Sequence, residues 1–293
     1  MKTTRMINRL KNATIGDIAV TELLCYDEKN IPKLLNLCRR NSISYIPSQD
    51  RKSIYKMTDD GFVQEKINDD LCMSPGELIF DEITIKKFTK VDHNEIRFVL
   101  QDGKIYGVVH IVDYNSEYLL VELYRAFLRF ENNLRSLLIK KDLKNEDFIK
   151  WVRVMSDCEI YEDDNTQNYW TKRYVTLMPA EDGKRWRVEN ERRNLYAFQT
   201  FLFSDLLEYA IDCKLLDSSV FPSYILKKLR NYIAHARHLT SISEAEEGNL
   251  IYNFSHLKKF IADLKTFFFA FDHLEDLLQS KDKNNFSSAD ISK

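Results

Sequence analysis

The chain has 293 residues, 44% apolar and 30% charged, with a formal net charge of −2, so it can bury one large core or two ordinary ones and is not a globally basic nucleic-acid binder. Contact with a polyanion has to come from a local basic patch. No apolar run approaches the roughly 18 residues that span a bilayer, and the opening MKTTRMINRL lacks a signal-peptide core. These features read as a soluble, cytoplasmic chain. The five cysteines (Cys25, Cys38, Cys72, Cys158, Cys213) are widely spaced, with no C-x-x-C pair, and read as reduced thiols and not as a zinc site. Only seven glycines, none in a phosphate-cradling loop, argue against a P-loop, a dinucleotide fingerprint and an all-β architecture.

The first hundred or so residues alternate short helical and short strand-like runs. Within 31–40, Ile31, Leu34, Leu35 and Cys38 have helical spacing, and strand-like ISYIP (43–47) and SIYKM (53–57) follow. The same order returns as EITIKKF (82–88), EIRFVL (95–100), the turn Gln101-Asp102-Gly103 and KIYGVVHIV (104–112). This predicts a repeat of about 55 residues.

Beyond Tyr114 strand signals nearly vanish, which places a boundary near 115. The run 116–141 reads as one helix, capped by Ser116 and ending in basic residues. Its apolar stripe is Leu120, Leu123, Tyr124, Phe127, Phe130, Leu134, Leu137 and Leu138, and Glu131 falls inside that stripe. A carboxylate there needs a partner. Arg230 is favoured, because a guanidinium can satisfy a carboxylate and still offer donors to a phosphate. Pairing with Arg135 one turn on, or snorkelling to the surface, are the alternatives.

The stretch 142–190 contains an acidic run at 159–164 and the turn-like EDGKRW at 181–186. It reads as a loop-rich insertion with a short strand or hairpin around 173–177. Trp151, Trp170 and Trp186 fall here; they fill a core or, beside Arg185 and Arg187, stack on single-stranded bases. Helical periodicity resumes over 191–216, through Leu195, Phe198, Phe201, Leu202, Asp205, Leu206 and Tyr209, and again over 249–278. There Leu257, Phe260, Ile261, Leu264 and the apolar run 267–271 form a core or dimer face. The tail beyond 280 has the composition of a disordered segment.

The most informative run is 221–240, FPSYILKKLRNYIAHARHLT. Pro222 suits a helix start, and at 100° per residue Leu226, Leu229, Ile233 and Ala236 form an inward stripe. Asn231, His235 and His238 stand on another face. Lys227, Lys228, Arg230 and Arg237 add fixed positive charge beside imidazoles that titrate near neutrality, a combination suited to a phosphate diester.

Two resemblances follow from these residues. The segment RFVLQDGKIYGVVHIVD resembles the closing half of a CBS motif, and 43–57 a weaker copy, so 1–114 is similar to a CBS pair. That resemblance implies an adenine-nucleotide cleft in which Asp113 takes the ribose position, His110 stands where Thr or Ser is usual, and Thr58 matches in the first copy while Gly61 replaces its Asp. A purely structural pair used for dimer formation is the other reading. The remainder, 115–280, resembles the HEPN family on the run RNYIAH (Arg230, Asn231, His235) and on Glu131 in its first helix.

The HEPN resemblance implies an all-α bundle, hence an α+β chain overall. It also implies a metal-independent endoribonuclease built by a homodimer, with RNA as substrate, in a toxin or phage-defence setting. Arg230, Asn231, His235 and Glu131 would be the catalytic group, with Lys227, Lys228, Arg237 and His238 along the RNA. No metal or cofactor is required, and an adenine nucleotide is the expected regulatory ligand. The alternative is a non-catalytic regulator that senses a ligand or binds RNA or a partner protein.

Overall fold

The computed structural model describes residues 4–41, 43–88, 96–157, 164–177, 198–199, 201–235, 237, 239, 241–244 and 250–280. Expectations that fall on Cys158, Trp186, Arg185, Arg187, Leu195, Ala236, His238 and the tail beyond 280 lie outside these residues. In chain order the elements are α1 (Thr4–Lys11), α2 (Ile15–Ile18), α3 (Ile31–Arg40), β1 (Tyr45–Pro47), β2 (Ile54–Met57), β3 (Phe62–Glu65), β4 (Cys72–Met73), α4 (Glu82–Lys86), β5 (Ile96–Gln101), β6 (Lys104–His110), α5 (Glu117–Lys140), α6 (Asn145–Ser156), α7 (Asp164–Leu177), α8 (Phe203–Asp212), α9 (Ser223–Ala234), β7 (Ser241–Glu244), β8 (Leu250–Asn253) and α10 (Phe254–Gln279). The chain is mixed α+β. It divides into two compact units, Met1–Ala126 with Tyr232–Leu264 and Phe127–Asn231 with Lys265–Lys293.

In the first unit a helix followed by a hairpin occurs twice, as α3 with β1–β2 and as α4 with β5–β6. The first hairpin gains β3, giving an antiparallel β1-β2-β3 sheet. The second gains β4 alongside β5 in parallel. Asp102 and Gly103 both have positive φ, 51° and 72°, as a two-residue hairpin turn of right-handed twist demands. Strand β6 ends at His110, two residues before the expected end. The Asp113 carboxylate accepts the His110 amide at 2.7 Å while His110 Nδ1 accepts the Val112 amide at 3.1 Å. That reciprocal pair satisfies both amides locally and turns the chain out of the sheet.

Among the described residues Leu34, Cys38 and Ile46 form one apolar cluster, and Ile54, Phe98 and Ile105 another. Cys38 is fully buried, acts as a small apolar side chain, and has its thiol pKa raised by that burial. Cys25, Cys38, Cys72 and Cys213 are free. On the outer side of β6, Val20 and Val108 exchange amide-to-carbonyl bonds of 2.8 and 3.0 Å. Glycine at 107 permits this approach, since a Cβ there would lie 2.8 Å from the Val20 oxygen. The hairpin of β7 and β8 was not expected beyond residue 114; its four pairs run from Ser241 with Asn253 to Glu244 with Leu250.

The second unit is built on Phe127, Phe130, Leu134, Leu137 and Leu138 of α5, all buried as the stripe predicted. The first turns of α5 depart from it: Leu119 is buried in place of Leu120, and Tyr124 is 52% exposed. Phe130 meets the rings of Phe203, Phe221, Phe267 and Phe271, and Phe127 stacks on Phe267 at 4.0 Å. Lys140 Nζ donates to the carbonyls of Leu278 (3.2 Å) and Ser280 (2.6 Å), closing the end of α10.

The reading of 142–190 is corrected by the structure. The stretch read as loop-rich, with a strand at 173–177, holds the helices α6 and α7. Phe148 and Val152, one turn apart, are fully buried. Arg173 is held in helix by Asp205 of α8, 2.6 Å from its Nε, and this tertiary contact overrides the local strand preference of Tyr174, Val175 and Thr176. Trp151 and Trp170 meet edge to face at 4.9 Å; Trp170 is 5% exposed and fills the core, while Trp151 is half-buried and its Nε1 donates to Asp212 at 2.9 Å.

Helix α8 begins at 203, because Phe198 is left-handed (φ 59°) with its amide given to the Asn145 side chain at 2.8 Å. Helix α10 begins at 254, after β8. Among the described residues no helix is long and apolar enough to cross a membrane.

Gly107→Ala should lower the free energy of unfolding by about 1–3 kcal/mol, since the extra carbon meets backbone that cannot rotate away. Gly61→Ala, with nothing within 4 Å of its Cβ position, should stay within about 0.5 kcal/mol of wild type. Urea midpoints at unchanged slope measure both.

Candidate functional site

Helix α9 starts on the Pro222 carbonyl, which accepts the Leu226 amide at 3.1 Å. It buries Leu226, Leu229 and Ile233, and that inward face fixes where Arg230 points. Arg230 Nε donates to Glu131 Oε1 at 3.1 Å, so the favoured pairing of the inward carboxylate is present. The alternative pairing is present too: Arg135 Nη2 lies 3.5 Å from Glu131 Oε2, and Arg135 Nε donates to the Phe198 carbonyl at 3.3 Å.

Each oxygen of one carboxylate therefore takes a different guanidinium. Glu131 and Arg135 are 13% and 14% exposed, but Arg230 is 38% exposed. Among the described residues Nε is the only Arg230 donor engaged, so its terminal nitrogens remain open to an anion.

Asn231 and His235 are both exposed. The helix ends at Ala234, so His235 follows the last turn and does not stack above Asn231 on a continued helix face. The reason is local. The Arg237 amide returns to the Tyr232 carbonyl at 3.2 Å, the fully buried Leu239 gives its amide to Asn115 at 2.6 Å, and the chain then enters β7. His238 lies outside the described residues. Arg237 is exposed and Lys228 half-buried. Lys227 is instead turned to Glu208, with which it pairs. Tyr232 donates to or accepts from His256 at 2.8 Å, and burial raises its phenol pKa.

A cavity of about 600 Å³ in the second unit is lined by Tyr169, Trp170, Asp205, Glu208, Asp212 and Lys227, among others. Asp205, only 1% exposed, accepts from Tyr169 at 2.5 Å and from Arg173 at 2.6 Å. Burial first, and then this carboxylate, push the Tyr169 phenol up to about 12. Among the described residues Arg173 Nη2 is buried without a hydrogen-bond partner. Sequence periodicity marked Asp205 only as an inward helical position; its charge at such a position is the signal, of the same kind as that of Glu131.

A second cavity of about 420 Å³ lies in the first unit, lined mainly by aliphatic side chains together with Glu22, Asn41, Ser44, Tyr45 and His110. Of the three residues expected to hold a ligand, His110 lines it. Asp113 is occupied with the His110 amide, and Thr58 with the Gly61 carbonyl at 3.2 Å, within its own turn. Glu22 and Asn41 belong to no motif, and Ser44 and Tyr45 lie in the weaker copy at 43–57, where the motif marks no ligand position. Among the described residues no three His, Cys, Asp or Glu side chains assemble as metal ligands. Comparison with family models, curated proteins and solved structures returned no match to the chain.

Glu131→Ala removes the partner of two guanidiniums at once and should cost about 2–3 kcal/mol, below the range for fully buried pairs because Arg230 is partly solvated. Arg230→Ala leaves Arg135 on the carboxylate and should cost about 1 kcal/mol or less. Chemical denaturation of both variants decides this order.

Burial pushes the Asp113 carboxyl above its usual value, with the bond from the His110 amide and the His110 charge acting in the opposite sense. A raised folded-state pKa gives a contribution that is present in acid and is lost as pH rises through that pKa. Asp113→Asn should therefore melt higher than wild type at neutral pH, and the gap should close as pH falls toward about 4. A gap that widens in acid contradicts this assignment.

Proposed function

We propose that this chain is a metal-independent endoribonuclease of HEPN type, joined to a CBS-like pair that binds an adenine-type regulatory ligand. The observation that carries the reading is Arg230, held through Nε by the inward Glu131 and presenting its other donors to solvent. A guanidinium oriented by a partly buried carboxylate is pre-organised for a phosphate and costs little reorganisation when the anion arrives.

In this mechanism the RNA 2′-oxygen attacks the adjacent phosphorus and the 5′-oxygen leaves, giving a 2′,3′-cyclic phosphate and a 5′-hydroxyl. His235 transfers the proton as general base or acid, and its exposure lets it reach a bound strand. Arg230 stabilises charge on the phosphorane oxygens. Asn231 orients the phosphate, and Lys228, Arg237 and His238 accompany the strand. Lys227, turned to Glu208, adds less than the motif suggests. The acting form is a homodimer, in a toxin or phage-defence setting, and DNA is spared because it has no 2′-hydroxyl.

Mixed RNA incubated in EDTA should yield 2′,3′-cyclic phosphate ends with wild type. Arg230→Ala and His235→Ala should each lower kcat/KM by about 100-fold or more. RNA retained in a shift assay without cyclic ends identifies a binding protein and overturns the enzyme reading, as does cleavage that both variants preserve.

A further inference from the structure

The cavity of the second unit carries an inference about which RNA base is read. It rests on the nuclease reading for the reacting strand and names the base that strand must present. Helix α8 turns Asp205, Glu208 and Asp212 to the cavity at spacings of three and four residues, and Lys227 of α9 lines it too. Lys227 lies one helical turn before Arg230, so the cavity sits beside the guanidinium that the nuclease reading places on the phosphate. Its volume of about 600 Å³ admits a nucleobase.

Two of the three carboxylates are already matched by cations. Asp205, 1% exposed, accepts from Arg173, Tyr169 and Ser204 and is committed to the protein. Glu208 pairs with Lys227 through Oε1; among the described residues Oε2 has no partner, and the two side chains are 29% and 30% exposed. Asp212 accepts from the Trp151 indole at 2.9 Å. The lining is therefore no trap for a free cation. It sets an ammonium donor beside a carboxylate acceptor, next to the ring of Tyr169, which is 42% exposed and fixed through its hydroxyl on Asp205.

That order of groups discriminates among the four bases. Guanine alone presents on its pairing edge an acceptor, O6, followed by two donors, N1–H and N2–H2, which match an ammonium beside a carboxylate. Uracil flanks its single ring N–H with carbonyls, so one carboxylate oxygen would face a carbonyl. Adenine and cytosine place a bare ring nitrogen next to their amine, and a carboxylate repels it. We propose that this cavity takes guanine, stacked on Tyr169, with O6 on Lys227 and N1–H and N2–H2 on Glu208, so that the chain cuts RNA on the 3′ side of guanosine. The 2′-oxygen of that guanosine bonds to the adjacent phosphorus as the 5′-oxygen of the next nucleotide leaves with a proton.

Calorimetric titration of the wild-type chain with the four nucleoside 3′-monophosphates reads the base without any cleavage, so this inference and the nuclease reading fail separately. Guanosine 3′-monophosphate should bind about tenfold or more tighter than the other three. Glu208→Gln keeps the side-chain shape at a partly solvated position, spares the fold, and should erase that preference. Mapping cyclic ends on mixed RNA is the second measurement: they should follow guanosine with wild type and spread over all four bases with Glu208→Gln. Equal binding of the four nucleotides, a guanine preference that Glu208→Gln retains, or cyclic ends placed without regard to base each overturns the inference. A guanine preference in a chain that cuts no RNA supports the base site and overturns the nuclease reading alone.

Discussion

Glu131 lies one turn after Phe127 and three residues before Leu134, both buried in the aromatic and aliphatic core of the second unit. A carboxylate left alone there would cost several kcal/mol of desolvation. Two guanidiniums remove that cost, one on each oxygen. Arg135 comes from the same helix one turn on and also holds the Phe198 carbonyl, at the point where the chain is left-handed before α8. Arg230 comes from α9, 99 residues away in sequence. A polar group placed inside an apolar stripe thus fixes how two helices of one unit face each other, and it leaves the more solvated guanidinium aimed and available.

The first unit depends on backbone geometry more than on charge. Positive φ at Asp102 and Gly103 sets the β5–β6 hairpin, and the missing side chain at Gly107 lets Val20 pair with Val108. That pairing brings Val20 and its neighbours Glu22, Leu23 and Leu24 to the same wall as Ile43 to Pro47, so the cleft follows from one close approach of two backbones. The exit of β6 at His110 follows from Asp113 serving as a cap. Asp113, read from the motif as a ligand anchor, is engaged in ending a strand, and of the polar groups on the cleft Glu22 and Asn41 come from segments outside the motif while His110 belongs to it.

What was legible in the sequence had short-range causes. The helix α3, the hairpin β5–β6 and the length of α5 follow from spacing, an Asp-Gly turn and a Ser cap, each contained in a few residues. The Glu131–Arg230 pair was legible because an inward charge poses a question that few residues can answer. The two helices at 145–177 were not, because their burial depends on Trp151 meeting Trp170 and on Arg173 meeting Asp205 across elements, and Arg173 gives no sign in sequence that a carboxylate 32 residues on will hold it. The end of α9 at Ala234 was missed for a similar reason. Periodicity continues through His238, but burying Leu239 and starting β7 turn the chain away first.

On the nuclease reading proposed above, Glu131 contributes to cleavage only through Arg230, by holding its guanidinium in place. A double-mutant cycle on the cleavage rate with Glu131→Gln and Arg230→Ala measures this directly. Strong non-additivity is expected: each single change slows cleavage, and the double variant is no slower than Arg230→Ala alone. Additive losses, with Glu131→Gln slowing the reaction equally whether or not Arg230 is present, would contradict it.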